Sequence, residues 1–373
     1  MSKCFLTRTF QVGYDGLVFL PDLTLQLTSK KELSGPEIEH SVTALLDAEV
    51  SAEVKAEFLT ALTAKGETPG EIAGFALALR RHAVPVRDDG DWWHHHDILD
   101  VCGTGGDRLN TFNISTTVAI VCAAAGVVVA KHGNRAITSQ SGSADVLEAL
   151  GIRTDLPPAE AARWLPRHQF AFLFAPYFHP GFKHIGPARK LCAQQGRRTI
   201  FNLLGPLLNP ARPTVQLVGI SAPHLTLGLA EALKLIGVRR AMVVSGHTGA
   251  DGDPAWFDEL STLGENRIAE FYHDRAITSS AWHPEGNSVQ PAILSDLAGG
   301  DRWVNARIVE AILRGQERGP KRDAVLLNAG AALMVAGRSR SILEGWELAL
   351  ETIGRGAAGA KLDELRQASA AVA

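Results

Sequence analysis

The residues best suited to chemistry lie in two polar, Gly-rich loops. The first reads Gly103-Thr-Gly-Gly106-Asp107 and runs through Thr111 to Asn113-Ile114-Ser115-Thr116. The second reads Lys131-His132-Gly133-Asn134-Arg135-Ala136-Ile137-Thr138-Ser139 and continues to Ser141 and Ser143. Glycines let backbone approach a ligand closely, and Asp107 is an acid that can take a ribose hydroxyl. Asn113 is a preferred N-cap residue. Ser115 and Thr116 then fall in the first turn of a helix whose dipole favours an anion. Lys131 to Asn134 bring together a cation, a ring, open backbone and an amide, and the serines add hydroxyls. Capping alone needs one such residue, not the set. Phosphate binding is the chemistry the combination supplies. The first loop is not a dinucleotide fingerprint, because Arg108 stands where the third glycine belongs, and it lacks the Gly-Lys-Ser/Thr ending of a Walker A loop.

These loops need elements that aim them at one place. Each follows a β-type run, Ile98–Cys102 or Val127–Ala130, and feeds a helical pattern opening near Asn113 or Ser141. Further strands are predicted at Phe170–Phe174, Val215–Ile220 and Ala241–Ser245. Helices are predicted at Pro158–Leu165 and Leu225–Ile236, with a basic helix through Lys183, Arg189 and Lys190. Ala175–Pro180 reads as a loop, and the chain from Asp301 onward is mostly helical. The alternation predicts an α/β domain over 97–373 with a mainly parallel central sheet flanked by helices. Ligands of such sheets sit beyond the carboxyl ends of the strands, where both loops fall.

The preceding segment has helical periodicity without strands. Ser34-Gly-Pro-Glu37 and Thr68-Pro-Gly-Glu71 are capped starts, and Gly66 ends the helix between them. A small N-terminal helical domain is expected over 27–90. Residues 1–26 form an extension in which Asp15-Gly16 suggests a hairpin turn. Asp88–Asp97 is a polar hinge. Its three consecutive histidines do not point at one ion and read as a solvated linker.

Composition narrows the function. The 373 residues are 46% hydrophobic and 21% charged, with a net charge of −3, which gives no general pull on nucleic acid or an anionic membrane. The longest apolar stretch, Val118–Ala130, is too short to span a bilayer. Cys4, Cys102, Cys122 and Cys192 never fall in C-x-x-C spacing, which argues against a zinc site or disulfide framework and for a cytoplasmic setting. Lys3, Arg8 and Asp15 interrupt any signal-peptide core.

In order and spacing, G-T-G-G-D, N-x-S-T, K-H-G-N and S-G-S-A-D-V-L-E-A-L-G closely resemble the anthranilate phosphoribosyltransferase family. The resemblance runs from about Leu27 to the C-terminal helix. It includes G-E-T-P-G-E-I-A-G, F-H-P, R-T-I-F-N-L-L-G-P-L-L-N-P and L-N-A-G-A-A-L-M-V-A-G-R. It implies transfer of ribosyl phosphate from 5-phosphoribosyl-1-pyrophosphate to the amine of anthranilate. Magnesium is implied as two ions, one travelling with the pyrophosphate. By the same resemblance Gly103, Gly106, Asp107, Thr111, Asn113, Ile114, Ser115, Thr116, Lys131 through Ser139, and Ser143 hold the donor. Gly103, Asn134, His179 and Arg189 contact anthranilate, and Ser115, Asp258 and Glu259 hold magnesium. Alone, Asp258-Glu259 would read as a solvated loop pair. No general acid or base is assigned, since an aromatic amine is neutral at pH 7. A homodimer through the helical domain is also implied, with a helix near 183–196 completing that domain.

The chain departs from the family pattern in three places: extra residues around Ala193–Gly196, an enlarged loop over Thr248–Phe257, and the first 26 residues. Two other functions compete. A pyrimidine nucleoside phosphorylase of the same fold resembles K-x-S-x-G-G-x-x-D in its first loop, and the lysine is missing here. A non-catalytic nucleic-acid-binding paralogue calls for a basic surface, against the net charge of −3.

Overall fold

The computed structural model describes residues 19–86, 90–136, 140–249, 255–284 and 289–371. Four helices come first: α1 (Leu20–Thr28), α2 (Gly35–Leu46), α3 (Ala52–Lys65) and α4 (Pro69–Arg81). A single turn, α5 (Trp92–His95), precedes β1 (Ile98–Gly103), α6 (Ile114–Ala124), β2 (Val128–Gly133), α7 (Ser143–Ala149), α8 (Pro158–His168) and β3 (Phe170–Phe174). Then follow α9 (Ala175–Phe178), α10 (Gly186–Gln194), α11 (Phe201–Leu204), β4 (Val215–Gly219), α12 (Thr226–Leu235) and β5 (Arg240–His247). Strands β6 (Trp256–Phe257), β7 (Asn266–Tyr272) and β8 (Thr278–Trp282) lead to α13 (Arg302–Leu313), α14 (Pro320–Val335), α15 (Ile342–Gly354) and α16 (Ala357–Ala371). No helix among the described residues is long and apolar enough to cross a membrane.

The predicted α/β architecture is present. One sheet runs β3-β2-β1-β4-β5-β7-β8, with β6 also on β5. Strands β1 to β5 are parallel, while β6, β7 and β8 are antiparallel additions. The chain builds outward one way through β2 and β3, then returns to the other side of β1 with β4. That reversal opens a crevice at the carboxyl ends of β1 and β4, where Gly103 lies opposite Gly219.

Period-2 alternation splits the core between the two faces of the sheet. On β5, Met242 and Val244 join the core under α6, α13 and α14, while Ala241 and Val243 join the one that holds the N-terminal helices. The helical layer is therefore continuous with the sheet through α12. It begins as the sequence suggests: Ser34 N–H donates to Glu37 Oε2 at 2.6 Å, and Thr68 N–H to Glu71 Oε2 at 2.9 Å. α10 joins the same core through Ile185, Ala188 and Cys192. Buried Lys55 on α3 donates to His184 O at 3.0 Å, just before α10.

Several expectations need correction. The Asp15-Gly16 turn lies outside the described residues, but from Leu20 onward the expected extension is helix. Leu20, Leu23 and Leu27 recur at helical spacing on a buried face, and Pro21 sits in the first turn, so the helical region starts at Leu20 rather than 27. Ala175–Pro180 is not a plain loop, since Pro176 and Pro180 open the one-turn α9 and a 3-10 turn over Pro180–His184. Three strands, β6 to β8, are absent from the sequence reading. β8 is mostly exposed Thr, Ser and Ala and carries no apolar signal. The three histidines are exposed, as the solvated reading expects; beside them Trp93 is buried, His95 pairs with Asp91, and His96 stacks on Trp92 at 4.7 Å.

Candidate functional site

The first loop is shaped by close packing against a segment far along the chain. A Cβ added at Gly103 would lie 2.0 Å from Asp258 Oδ2, and one at Gly219 would lie 1.4 Å from Asp258 O. No side chain fits at either position. Thr104 N–H donates to Gly219 O at 2.9 Å, and Gly105 N–H donates to Asp258 Oδ2 at 2.7 Å. Gly105 and Gly106 then take positive φ values of 72° and 87°, the region that favours glycine.

Asp258 and Glu259 follow β6, held there by Gly246 of β5 opposite Phe257. They are not solvated loop acids. Asp258 is 9% exposed, and Glu259 Oε2 is buried without a hydrogen-bond partner. Oxygen atoms of Asp107, Asp258 and Glu259 all lie within 4.8 Å of one another. Burial, then the charge of Asp107, pushes the Asp258 carboxyl up to about 7, and burial also raises Glu259 and Asp107. Three carboxylates this close repel one another unless a cation or protons neutralise them. An all-oxygen set with an orphaned buried oxygen suits a hard divalent ion such as magnesium. Asn328 on α14 fixes the next residue: its Nδ2 donates to Leu260 O and its Oδ1 accepts from Leu260 N–H, both at 2.9 Å.

α6 starts beside the first loop, but Asn113 does not cap it. Its side chain makes no cap hydrogen bond. Instead Nδ2 donates to Ser141 O at 3.3 Å, and Oδ1 accepts from Asn305 Nδ2 at 2.9 Å. Ser115 Oγ accepts from Lys131 Nζ at 3.3 Å, and Lys131 also donates to Val101 O at 2.7 Å. Lys131 is 2% exposed, so its head points beneath the site rather than into open solvent. Burial lowers its pKa, partly offset by Asp100. Asp100 is itself fully buried and accepts from Asn209 Nδ2 at 2.9 Å, which also reaches Ala130 O at 2.7 Å. The N-L-L-G-P-L-L-N-P motif thus ties β1 to β2 just below the loops.

The second loop folds back on α7. Ala136 N–H and Gly142 N–H both donate to Asp145 Oδ2 at 2.9 Å, while Ala144 N–H and Ser143 Oγ donate to Asn134 O at 3.3 Å. Burial would raise the Asp145 pKa, but these bonds and Arg135 together lower it. Arg135 is held by Glu148 at 2.6 and 2.8 Å and faces Phe174. Asn134 is exposed. The predicted donor residues Ile137, Thr138 and Ser139 lie outside the described residues.

A row of rings joins the end of β2 to Arg189. His132 meets His179 edge-on at 5.3 Å, His179 meets Phe182 at 4.9 Å, and Phe182 meets Phe201 at 5.8 Å. Arg189 lies over Phe201, 5.5 Å from its centroid. Burial, with the neighbouring His179, lowers His132 to about 3, and burial lowers His179 to about 4, so both rings are neutral at pH 7. His179 is only 3% exposed.

Arg189 shares an open cleft with Gly105, Gly106, Arg108, Arg197 and Arg198. The extra residues near Ala193–Gly196 lengthen the end of α10. Gly196 takes φ 68°, and Arg197 N–H closes the turn on Cys192 O at 2.9 Å, a Schellman-type stop. Arg197 and Arg198 thereby reach the same wall as Arg189. Sequence reasoning missed Asp107 as a member of the acid cluster, and Asn305 and Asn328 as supports. Of these, Asn328 alone carries a local signal, the N-A-G run that opens the last family motif.

Residues 95–359 match the glycosyl transferase family a/b domain, and residues 21–83 match the helical bundle domain of that family. The anthranilate phosphoribosyltransferase of Symbiobacterium thermophilum is 43% identical over 348 residues, spanning 92% of this chain and 96% of that one. The Moorella thermoacetica enzyme is 45% identical over 341 residues, 91% and 95% of the two chains. Among solved structures, anthranilate phosphoribosyltransferase from Thermus thermophilus superposes with a TM-score of 0.82 at 40% identity, covering 93% of this chain and 98% of that one. The Saccharomyces cerevisiae enzyme, in complex with PRPP and Mg, gives 0.81 at 29% identity, covering 94% and 98%. The chain belongs to the anthranilate phosphoribosyltransferase family.

Proposed function

We propose that the chain transfers the 5-phosphoribosyl group of 5-phosphoribosyl-1-pyrophosphate to the amine of anthranilate, a step of tryptophan biosynthesis. The observation that carries this reading is the position of the first loop. One side of it bonds the buried acid cluster through Gly105, and the other side lines a cleft with Arg189, Arg197 and Arg198. Among the described residues, none of these three arginines is paired with a carboxylate. A magnesium-bound anion thus has a place on one side, and an anionic acceptor on the other.

In the transfer, the bond from the ribose anomeric carbon to pyrophosphate breaks. A bond from that carbon to the amine nitrogen forms, and the amine loses a proton to solvent. Asp107, Asp258, Glu259 and Ser115 would hold magnesium, as two ions with one arriving on the donor. Magnesium, when bound, neutralises charge on the leaving pyrophosphate. The loops at Gly103–Thr116 and Lys131–Ser143 orient the donor, with the α6 N-terminus turned toward its charge. Arg189 binds the acceptor's carboxylate as a cation already partly stripped of water, since burial lowers its pKa. The ring row through His132 and His179 gives the flat acceptor an uncharged flank, and alignment of amine and donor does the rest.

The N-terminal helical domain pairs two copies of the chain into a homodimer, and the protein works in the cytoplasm. Incubation with both substrates and magnesium, followed by mass analysis, tests the proposal. N-(5-phosphoribosyl)anthranilate and pyrophosphate are expected in equal amounts, and their absence would refute it.

A further inference from the structure

We infer that Asn305 is a positioning residue for the donor site, fixing which side of the Asn113 carboxamide faces the second loop. The inference rests on the donor-site reading above. Asn305 sits in the first turn of α13 and is 1% exposed. The segment before it runs antiparallel along the first loop. Phe112 N–H donates to Leu297 O at 3.2 Å, Gly299 N–H donates to Asn110 O at 2.9 Å, and Thr111 bridges to Ala298. A Cβ at Gly299 would lie 2.8 Å from Phe112 Cα and 2.7 Å from Asn305 Oδ1. The two segments are in direct contact.

The amide orientations follow from which groups can donate. Gly300 N–H has no acceptor capacity, so the oxygen of Asn305 must face it, at 2.8 Å. Asn305 Nδ2 then faces Asn113, whose oxygen must accept, at 2.9 Å. Asn113 Nδ2 is left pointing at Ser141 O, 3.3 Å away. An isolated carboxamide could sit either way round. Here a backbone N–H outside the site sets the orientation through two side chains. The preset N–H side ties the α6 N-terminus to the second loop and faces the region that receives an acceptor-rich phosphate. Asn113 thus serves the site as a link between loops, which accounts for its missing cap bond.

Asn305→Asp keeps the acceptor for Gly300 N–H but sets a second oxygen against Asn113 Oδ1. The Asn113 amide must turn over, which brings its oxygen against Ser141 O. The donor KM is expected to rise on the order of tenfold, the worth of one buried hydrogen bond. The anthranilate KM should hold, with the melting temperature within about 3 °C of the parent. In an Asn113→Ala background the same substitution should add nothing to the donor KM. An unchanged donor KM in the folded variant overturns the inference. So does the full effect persisting without the Asn113 side chain, or both KM values rising together with lost thermal stability. If Asn305→Asp does not fold, Asn305→Ser is read in the same ways. If the parent turns over neither substrate, the functional reading fails by itself. The relay is then read from the Asn113 side-chain amide resonances, which Asn305→Asp must shift; unmoved resonances overturn it.

Discussion

Gly103 and Asp258 pack so closely that a methyl group on one would occupy the carboxylate of the other, with 2.0 Å between a Cβ at 103 and Asp258 Oδ2. The end of β1 and the acid cluster are therefore one unit, although 155 residue numbers separate them. Gly103→Ala should push Asp258 away from Asp107 and Glu259. A displacement of about 1 Å at a reacting centre costs on the order of a hundredfold in kcat. Turnover measured beside a melting curve checks this, and a folded variant with parental kcat would show that Asp258 does not need its present place.

The acid cluster predicts a pH dependence that magnesium reverses. Burial raises the pKa of Asp107, Asp258 and Glu259 in the folded chain, Asp258 to about 7. Groups raised in this way favour the fold while protonated, and the benefit is lost as pH rises through the folded pKa. By the Asp258 value, the metal-free protein should therefore lose thermal stability as pH rises from about 4, the ordinary carboxyl value, to about 7. Magnesium binds the ionised cluster, so its gain in melting temperature should be larger at pH 8 than at pH 6. Asp258→Asn with Glu259→Gln should abolish that gain. A gain independent of pH, or one that survives the double substitution, would place the metal elsewhere.

Arg189 lies at the Phe201 end of the ring row, 5.5 Å from that ring's centroid. Arg189→Ala should raise the anthranilate KM by roughly ten- to a hundredfold, the range for a charge-assisted hydrogen bond, and leave the donor KM nearly unchanged. Steady-state kinetics with each substrate varied in turn gives the answer. If Arg197→Ala or Arg198→Ala shows that pattern instead, the longer α10 has passed the role to its end.

Asn328 satisfies both backbone groups of Leu260, the residue after the acid pair. Asn328→Leu would leave a buried N–H and a buried C=O unpaired. A loss of about 3 kcal/mol follows from two such groups, readable by chemical denaturation. The residual folded enzyme should need more magnesium for half-maximal rate. Full stability would mean that water or another side chain replaces the amide.

The two loops at the carboxyl ends of β1 and β2 were legible because their signals are local. Glycines, hydroxyls and a helix start lie within a few residues of each other at the ends of two strands. What escaped notice depends on contacts between distant segments. Asn113 carries the sequence mark of an N-cap, yet Asn305, 192 positions away, claims its oxygen. Asn209-Pro reads as a chain breaker, while its side chain bridges Asp100 and Ala130. Asp107 reads as a ribose ligand, but folding sets it beside Asp258 and Glu259. In the fold, buried parallel strands announced themselves by continuous apolar runs. The polar edge strand β8 did not, because little of it is buried.

The most direct test mixes the purified chain with 5-phosphoribosyl-1-pyrophosphate, anthranilate and magnesium and follows anthranilate fluorescence. The account predicts a steady loss of fluorescence that stops when magnesium is chelated and resumes when it is restored. No loss of fluorescence under these conditions, alongside phosphorolysis of thymidine or tight binding to DNA, would contradict it.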